Sequence, residues 1–244
     1  MTPVHTLDTL TVGDLQLEVA PPSGRKSIEV TIERDASLVL RAPDEVTCAV
    51  ATRFVESKRS WIYRKLAEKD ALVGPPIVKQ FVNGEGFAYL GRSHRLLIVP
   101  DGDDVRLDRG RFVLPAPLVE DGPAIMRRWY RRSGGQWLRR RLEPWAARMG
   151  VGAVAVTVTD LGYRWGSARP LEGDHRINIH WATLQLPPSL IDYVVVHELA
   201  HLIEANHTAA YWNHVERAMP GYERHKANLA VIGKNVWLGA QSAA

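Results

Sequence analysis

The sequence is short of several features, and each shortage excludes a class of protein. Only one cysteine, Cys48, occurs among the 244 residues, so no disulfide can form within the chain and a reducing cytosol is the expected compartment. No apolar run approaches the ~20 residues that a membrane-spanning helix needs. The first residues, MTPVHTLDTL, lack the basic and apolar segments of a secretory signal. These absences predict a soluble cytoplasmic protein that does not bind a membrane.

Charge is distributed less evenly than the net value of +4 suggests. Seven arginines crowd one predicted helix between Arg127 and Arg141. A solvated basic face explains such a cluster as well as an anionic partner does. If the partner is DNA, binding should be modest and sensitive to salt, because it would depend on phosphate contacts.

The stretch VVVHELAHLIEANHTAAYW, residues 194–212, contains His197, Glu198 and His201 in the order H-E-x-x-H. Apolar residues before and after the motif recur at helical spacing, which predicts a buried amphipathic helix. Positions i and i+4 share a helix face, so His197 and His201 can hold one metal ion between them. Glu198 can then reach a water at the metal without binding the metal itself.

A catalytic zinc usually has three protein ligands, so the motif needs one more. His207 is the favoured third ligand, because a turn at Ala205–Asn206 would bring it back toward the first two histidines. Asn206 suits a left-handed helix end at that point. Glu204 is the alternative third ligand, since it is expected on the helix itself and carboxylates also bind zinc.

Four sequence segments carry a resemblance to a known family: YRWGS at 163–167, RINIHW at 176–181, HELAH at 197–201 and NHTAAYW at 206–212. The span from Leu161 to Tyr222 resembles the YgjP-like and SprT-like zinc metallopeptidases. Three positions depart from the family pattern. Ala168 stands where Cys is usual, His180 where Asn is usual, and Tyr211 where Phe is usual.

The resemblance implies a zincin-like peptidase that uses Zn²⁺ and Glu198 as the general base on peptide substrates. It also implies that an edge strand beside the zinc helix binds the substrate backbone, and the strand 176–180 is assigned that role. Candidates for substrate binding and for a second oxyanion donor are His180, Tyr163 and Arg164, with Tyr222 as a further donor. SprT-like relatives act on proteins bound to DNA, which makes the arginine cluster a candidate DNA contact.

Two other functions remain open at this point. A nucleic-acid-associated binding module would hold zinc structurally, with a fourth protein ligand and no turnover. A zinc-dependent nucleoside triphosphate pyrophosphohydrolase is suggested by some relatives, but the sequence has no cluster of acidic residues for magnesium.

Hydrophobic periodicity and turn signals predict an α+β protein. Residues 1–117 should form a small β-rich module with one long helix, after a loose terminus at residues 1–12. Residues 118–244 should form a mainly helical, zincin-like metallopeptidase domain with a short sheet. The predicted strands are 15–20, 27–33, 38–41, 78–82, 86–89, 94–99, 105–108, 111–114, 154–159 and 176–179. The predicted helices are 45–69, 120–148, the zinc helix after Pro187 and Pro188, 209–219 and 222–232.

Overall fold

The computed structural model describes residues 2–32, 37–70, 77–162, 164–170 and 174–241. The chain divides into two compact units, Met1–Gly74 and Pro75–Ala244. This division precedes the boundary that we expected at residue 117. The strands between residues 77 and 115 share one buried cluster with the C-terminal helices, and Phe112 lies 4.7 Å from Trp129 between ring centroids. Their aromatic side chains therefore belong to the core of the second unit.

The first unit is a four-stranded sheet with one helix. Its strands are β1 (Thr9–Val12), β2 (Leu15–Val19), β3 (Glu29–Ile32) and β4 (Leu38–Arg41), in the order β1-β2-β4-β3. The prediction of a loose terminus through residue 12 is wrong, because β1 pairs antiparallel with β2 and buries Leu10 and Val12. The predicted hairpin turn at 35–36 lies outside the described residues.

The helix α1 (Cys48–Asp70) confirms the predicted long helix, although it begins three residues later than expected. Its buried side is formed by Ala51, Val55 and Ile62. Val50 and Trp61 lie outside this side, with 42% and 37% of their surface exposed.

The second unit holds the remaining elements. A four-stranded sheet is formed by β6 (Gly86–Tyr89), β7 (Arg92–Val99), β8 (Arg106–Asp108) and β9 (Arg111–Pro115), in the order β6-β7-β9-β8. A three-stranded sheet is formed by β10 (Val154–Thr159), β11 (Gly166–Arg169) and β12 (His175–His180), in the order β10-β12-β11. The short strands β5 (Val78–Lys79) and β13 (Ala240–Gln241) pair with each other. The helices are α2 (Gly122–Arg148), α3 (Pro188–His201), α4 (Ala209–Ala218) and α5 (Tyr222–Ile232).

The helix α2 runs without interruption through Gly134 and Gly135. Gly134 is buried, and a Cβ at this position would lie 2.6 Å from the Leu184 side chain. Glycine here therefore permits the close approach of Leu184 to the helix rather than breaking it. The α+β class is confirmed by this mixture of helices and small sheets.

The helix α3 is central to the second unit. Every residue from Leu190 to Val196 is buried, and so are Leu199 and Ala200. The predicted burial of this helix is therefore confirmed, and its polar residues His197, Glu198 and His201 all line one cleft. In the described part of the chain, no helix combines the length and the apolar character that crossing a membrane requires.

Candidate metal centre and its cleft

The last turn of α3 and the segment after it bring three histidines together. His197 and His201 lie one helical turn apart, with ring centroids 5.0 Å from each other. The Nε2 atom of His207 lies 3.3 Å from the Nε2 atom of His197. One nitrogen from each of the three rings lies within 4.8 Å of the others, which is an arrangement that could hold a metal ion. The predicted third ligand, His207, is thus in place.

The turn that returns His207 differs from the one we expected. Asn206 does not adopt a left-handed conformation, since Phe81, Leu90 and Arg109 are the non-glycine residues with positive φ among those described. The helix instead ends in a tightened turn, in which the Leu202 and Ile203 amides donate to the carbonyls three residues earlier, both at 3.0 Å. The Glu204 carboxylate accepts from the Asn206 amide at 3.2 Å and lies outside the histidine cluster.

The helix α4 secures the third histidine from the other side. Thr208 caps α4, because its side chain accepts a hydrogen bond from the Tyr211 amide. The hydroxyl of Tyr211, which is fully buried, donates to the His197 carbonyl at 3.0 Å. The ring of Trp212 stacks on His207, with centroids 5.5 Å apart and planes at 28°. Aromatic side chains of α4 therefore support the backbone of His197 and the ring of His207.

The chemistry of the rings suits a cation. The Nδ1 atom of His201 lies 3.1 Å from the Ala205 carbonyl oxygen, which can only accept, so this nitrogen carries the proton and Nε2 keeps its lone pair. Burial, together with the nearby charges of His201, His207 and Lys226, lowers the pKa of His197 to about 3. Burial likewise lowers the pKa of His207. Both rings are consequently neutral at pH 7 and able to donate to a metal.

Glu198 faces the cleft from the same turn of α3. The residue is 5% exposed, and burial raises the pKa of its carboxyl to about 8, although Arg164 opposes the shift. It packs against the backbone of β11, because a Cβ at Gly166 would lie 2.6 Å from both Cγ and Oε1 of Glu198. Glu198 is therefore confined between the helix and this strand, beside His197.

A cavity of about 610 Å³ opens over these residues. One wall is formed by the residues 164–168, which include the first three residues of β11. The other wall is formed by α3 and by Lys226, Leu229 and Ala230 of α5. Arg164, a predicted substrate-binding residue, thus lies at the cleft. Tyr163, which was predicted with it, lies outside the described residues.

The structure does not bring His180 into the cleft. This residue is 3% exposed, its Nδ1 accepts from the Ala182 amide at 3.1 Å, and its Nε2 lies 3.4 Å from Asp160 Oδ1. Its strand, β12, is central in the sheet, since β10 and β11 pair with it on either side. The expectation that the strand 176–180 is an edge strand is therefore wrong, because its backbone groups are already bonded to both neighbours.

Two features of the cleft were missed from the sequence. The edge strand beside α3 is β11, whose four residues GSAR show neither alternation nor β-branched side chains. Lys226 lines the cleft from α5, and no motif marks it. The Glu216 carboxylate of α4 accepts from the Gly221 amide at 3.2 Å.

The arginine cluster of α2 is partly engaged within the protein. Arg128 and Arg132 both form ion pairs with Asp104, at 3.3 and 2.8 Å. Arg131 and Arg141 also bond to protein groups. The other three arginines form no ion pair among the described residues: Arg127, Arg139 and Arg140. DNA binding by this helix stays a prediction.

A histidine triad and a carboxylate that share an open cleft are the parts of a metal-dependent hydrolase. The model of the family described as "YgjP-like, metallopeptidase domain" matches residues 26–231, and the chain belongs to this family. The resemblance inferred from the sequence motifs is confirmed. A solved structure, the metallopeptidase zymogen of Pyrococcus abyssi abylysin, is 28% identical and covers 42% of this chain and 95% of its own, with a TM-score of 0.34. No curated protein matches the chain.

Proposed function

We propose that the protein is a zinc-dependent peptidase in which His197, His201 and His207 bind the metal and Glu198 is the general base. The observation that carries the proposal is the convergence of three imidazole nitrogens within 4.8 Å, with Glu198 in the same cleft. The family membership supports the metallopeptidase class. The choice of zinc and the role of each residue rest on the donor chemistry.

The donor set suits Zn²⁺. Neutral imidazole nitrogens are among its preferred ligands, and three protein ligands with an open position are usual in catalytic sites. The Ala205 carbonyl would orient the His201 ring through Nδ1, as hydrogen-bond acceptors around metal-bound histidines commonly do. When bound, zinc supplies Lewis acidity, which eases the removal of a proton from water and polarises the scissile carbonyl.

Glu198 would do the proton chemistry. Its carboxyl is next to His197 in the chain and opens on the cleft. The charge of a bound cation would favour the ionised form that burial disfavours, and the carboxylate could then accept a proton from the attacking water. It would then pass the proton to the leaving amine. Its confinement against Gly166 limits the positions that the carboxylate can adopt. A fixed base is favourable, because a small misplacement of a catalytic group is costly.

The substrate backbone would bind to β11. This strand is at the edge of its sheet among the described residues, and its first three residues line the cleft. An extended peptide can add to such an edge through main-chain hydrogen bonds. Arg164, just before β11, would place its guanidinium beside the reacting carbonyl and stabilise the developing negative charge.

The alternative functions receive less support. A structural zinc site needs a fourth ligand, and the described residues place only three candidate ligands in the cluster. A triphosphate hydrolase needs carboxylates that hold magnesium, and the described residues contain no further cluster of three or more ligand groups. Both observations favour a peptidase.

The decisive experiment compares the parent protein with Glu198→Gln. We expect the variant to bind zinc in the parent's amount while its cleavage of a peptide library falls by about 10²–10⁴-fold, the range for loss of a general base. Metal content is measured by mass spectrometry of the purified protein. The matched control is Glu204→Gln, which changes a nearby carboxylate outside the triad and should cleave like the parent. Equal cleavage by parent and Glu198→Gln would refute the role of Glu198.

A further inference from the structure

Lys226 lies on α5 and reaches the cleft beside the histidine triad. Its Nζ atom lies 4.4 Å from the centroid of the Trp212 ring. That ring stacks on His207 on one hand and on Tyr222 on the other, with centroids 5.5 and 5.1 Å apart. A cation over an aromatic face is held in place without losing its charge. The aromatic stack that supports His207 therefore also fixes a positive charge at the cleft.

The cleft has a second cation on its opposite wall. Lys226 lies on α5, in the wall that also contains the histidine helix. Arg164 lies just before β11, in the wall that packs against Glu198. The two cations of the cleft thus belong to different walls.

No acidic residue neutralises these cations. Glu198 is the only carboxylate that lines the cleft among the described residues. Glu204 and Glu216 are close in sequence to the triad and to α5, but each carboxylate accepts from a backbone amide elsewhere. Within the described residues, Lys226 and Arg164 form no ion pair. The rest of the lining is largely apolar, which focuses the field of an unpaired cation into the cleft.

We infer that the cleft selects peptides that carry an aspartate or glutamate side chain close to the scissile bond, and that Lys226 sets this preference. This preference rests on the proposed peptidase function, because the scissile bond is the peptide bond that the peptidase would cleave. A carboxylate in reach of Lys226 gains a charge-assisted contact, whereas a lysine or arginine in the same place meets a like charge. A neutral side chain in the same place gains no charge-assisted contact and meets no charge repulsion.

The test measures binding, so that it does not depend on turnover. The protein is the zinc-loaded Glu198→Gln variant, which is expected to hold a peptide without cleaving it. The probes are fluorescein-labelled peptides of alanine and serine with one glutamate at successive positions, and a matched set with glutamine in its place. We expect the best glutamate peptide to bind about fivefold tighter than its glutamine partner, the upper range for a partly exposed ion pair. Raising the salt from about 0.05 M to about 0.5 M should reduce this ratio, because the charges become screened.

Substitutions assign the preference to one residue. Lys226→Met keeps an apolar stem on Trp212 and should bring the glutamate-to-glutamine ratio close to one. Lys226→Glu should reverse the ratio. The control is Arg224→Glu, which makes the same charge change on α5 away from the cleft and should leave the ratio unchanged. Equal binding of both peptide sets, or a preference that survives both Lys226 substitutions, overturns the inference. If the parent cleaves none of the peptides while the binding preference is present, the peptidase proposal fails and the charge selection stands.

Discussion

Gly166 leaves no room for a side chain, and replacing it with alanine tests how tightly the proposed general base is held. An ideal Cβ at this position would lie 2.6 Å from Cγ and Oε1 of Glu198 and 2.8 Å from Cδ. Ordinary contacts begin at 3.4 Å. The backbone φ of Gly166 is not left-handed, so its conformation is open to any residue. A larger residue is excluded only because its side chain would overlap Glu198.

The required displacement gives the expected size of the effect. The Glu198 carboxylate, or the strand β11, must retreat by about 0.8 Å. Glu198 is 5% exposed, so few alternative positions are open to it. Because a misplacement near 1 Å costs about 10²-fold in rate, we expect kcat/KM of Gly166→Ala to fall about 100-fold. Zinc content should not change, since no histidine of the triad is touched.

The assay is cleavage of a peptide that the parent protein hydrolyses, with metal content and Tm measured on the same preparations. Gly152→Ala is the matched control, because no atom lies within 4 Å of a Cβ there and its φ is not left-handed. If kcat/KM of Gly166→Ala lies within about threefold of the parent value, instead of falling about 100-fold, Glu198 moves aside without cost to catalysis. The reasoning from confinement would then be refuted.

Two further substitutions test the packing around the site by chemical denaturation. Gly134→Ala should destabilise the protein by about 1–2 kcal/mol, because the methyl group overlaps Leu184. Gly135→Ala meets nothing within 4 Å and should stabilise α2 by about 0.5–1 kcal/mol, so equal effects at the two positions would contradict the packing. Arg141→Met should lower the free energy of unfolding by about 2 kcal/mol, because the buried Asp192, 6% exposed, loses hydrogen bonds of 2.8 and 2.6 Å. The loss is limited because the arginine is itself half-exposed and its charge is screened by solvent. Adding Asp192→Leu to Arg141→Met should recover most of that loss, and a double variant no more stable than the single one would argue against a buried unpaired charge.

Local signals predicted the site better than they predicted its surroundings. The helix α5 begins and ends at the predicted residues, and α4 differs from its prediction by one residue. Thr208 marks the start of α4, because its side chain caps the helix. Pro220 and Gly221 mark its end, because proline has no backbone N–H to donate to the helix. The convergence of the histidines also followed from local spacing, since helical periodicity relates His197 to His201.

Features that depend on distant partners were not predictable in this way. The pattern of β12 is that of a strand, but only the pairing order reveals that it is central and that β11 forms the edge. His180 likewise contacts Asp160, which follows β10 and which no local pattern relates to it. The boundary between the units depends on which aromatic residues meet, and residues 77–115 carry no local mark of the core that they join.

The burial of α3 has a consequence for the protein without its metal. Small zinc modules are unfolded until the ion binds, because little else holds their ligands together. Here most of the helix that carries His197 and His201 is buried in an apolar core, including every residue from Leu190 to Val196. Its backbone amides should therefore stay protected from hydrogen exchange after chelation. Removal of the metal should therefore abolish catalytic activity without unfolding the protein around α3.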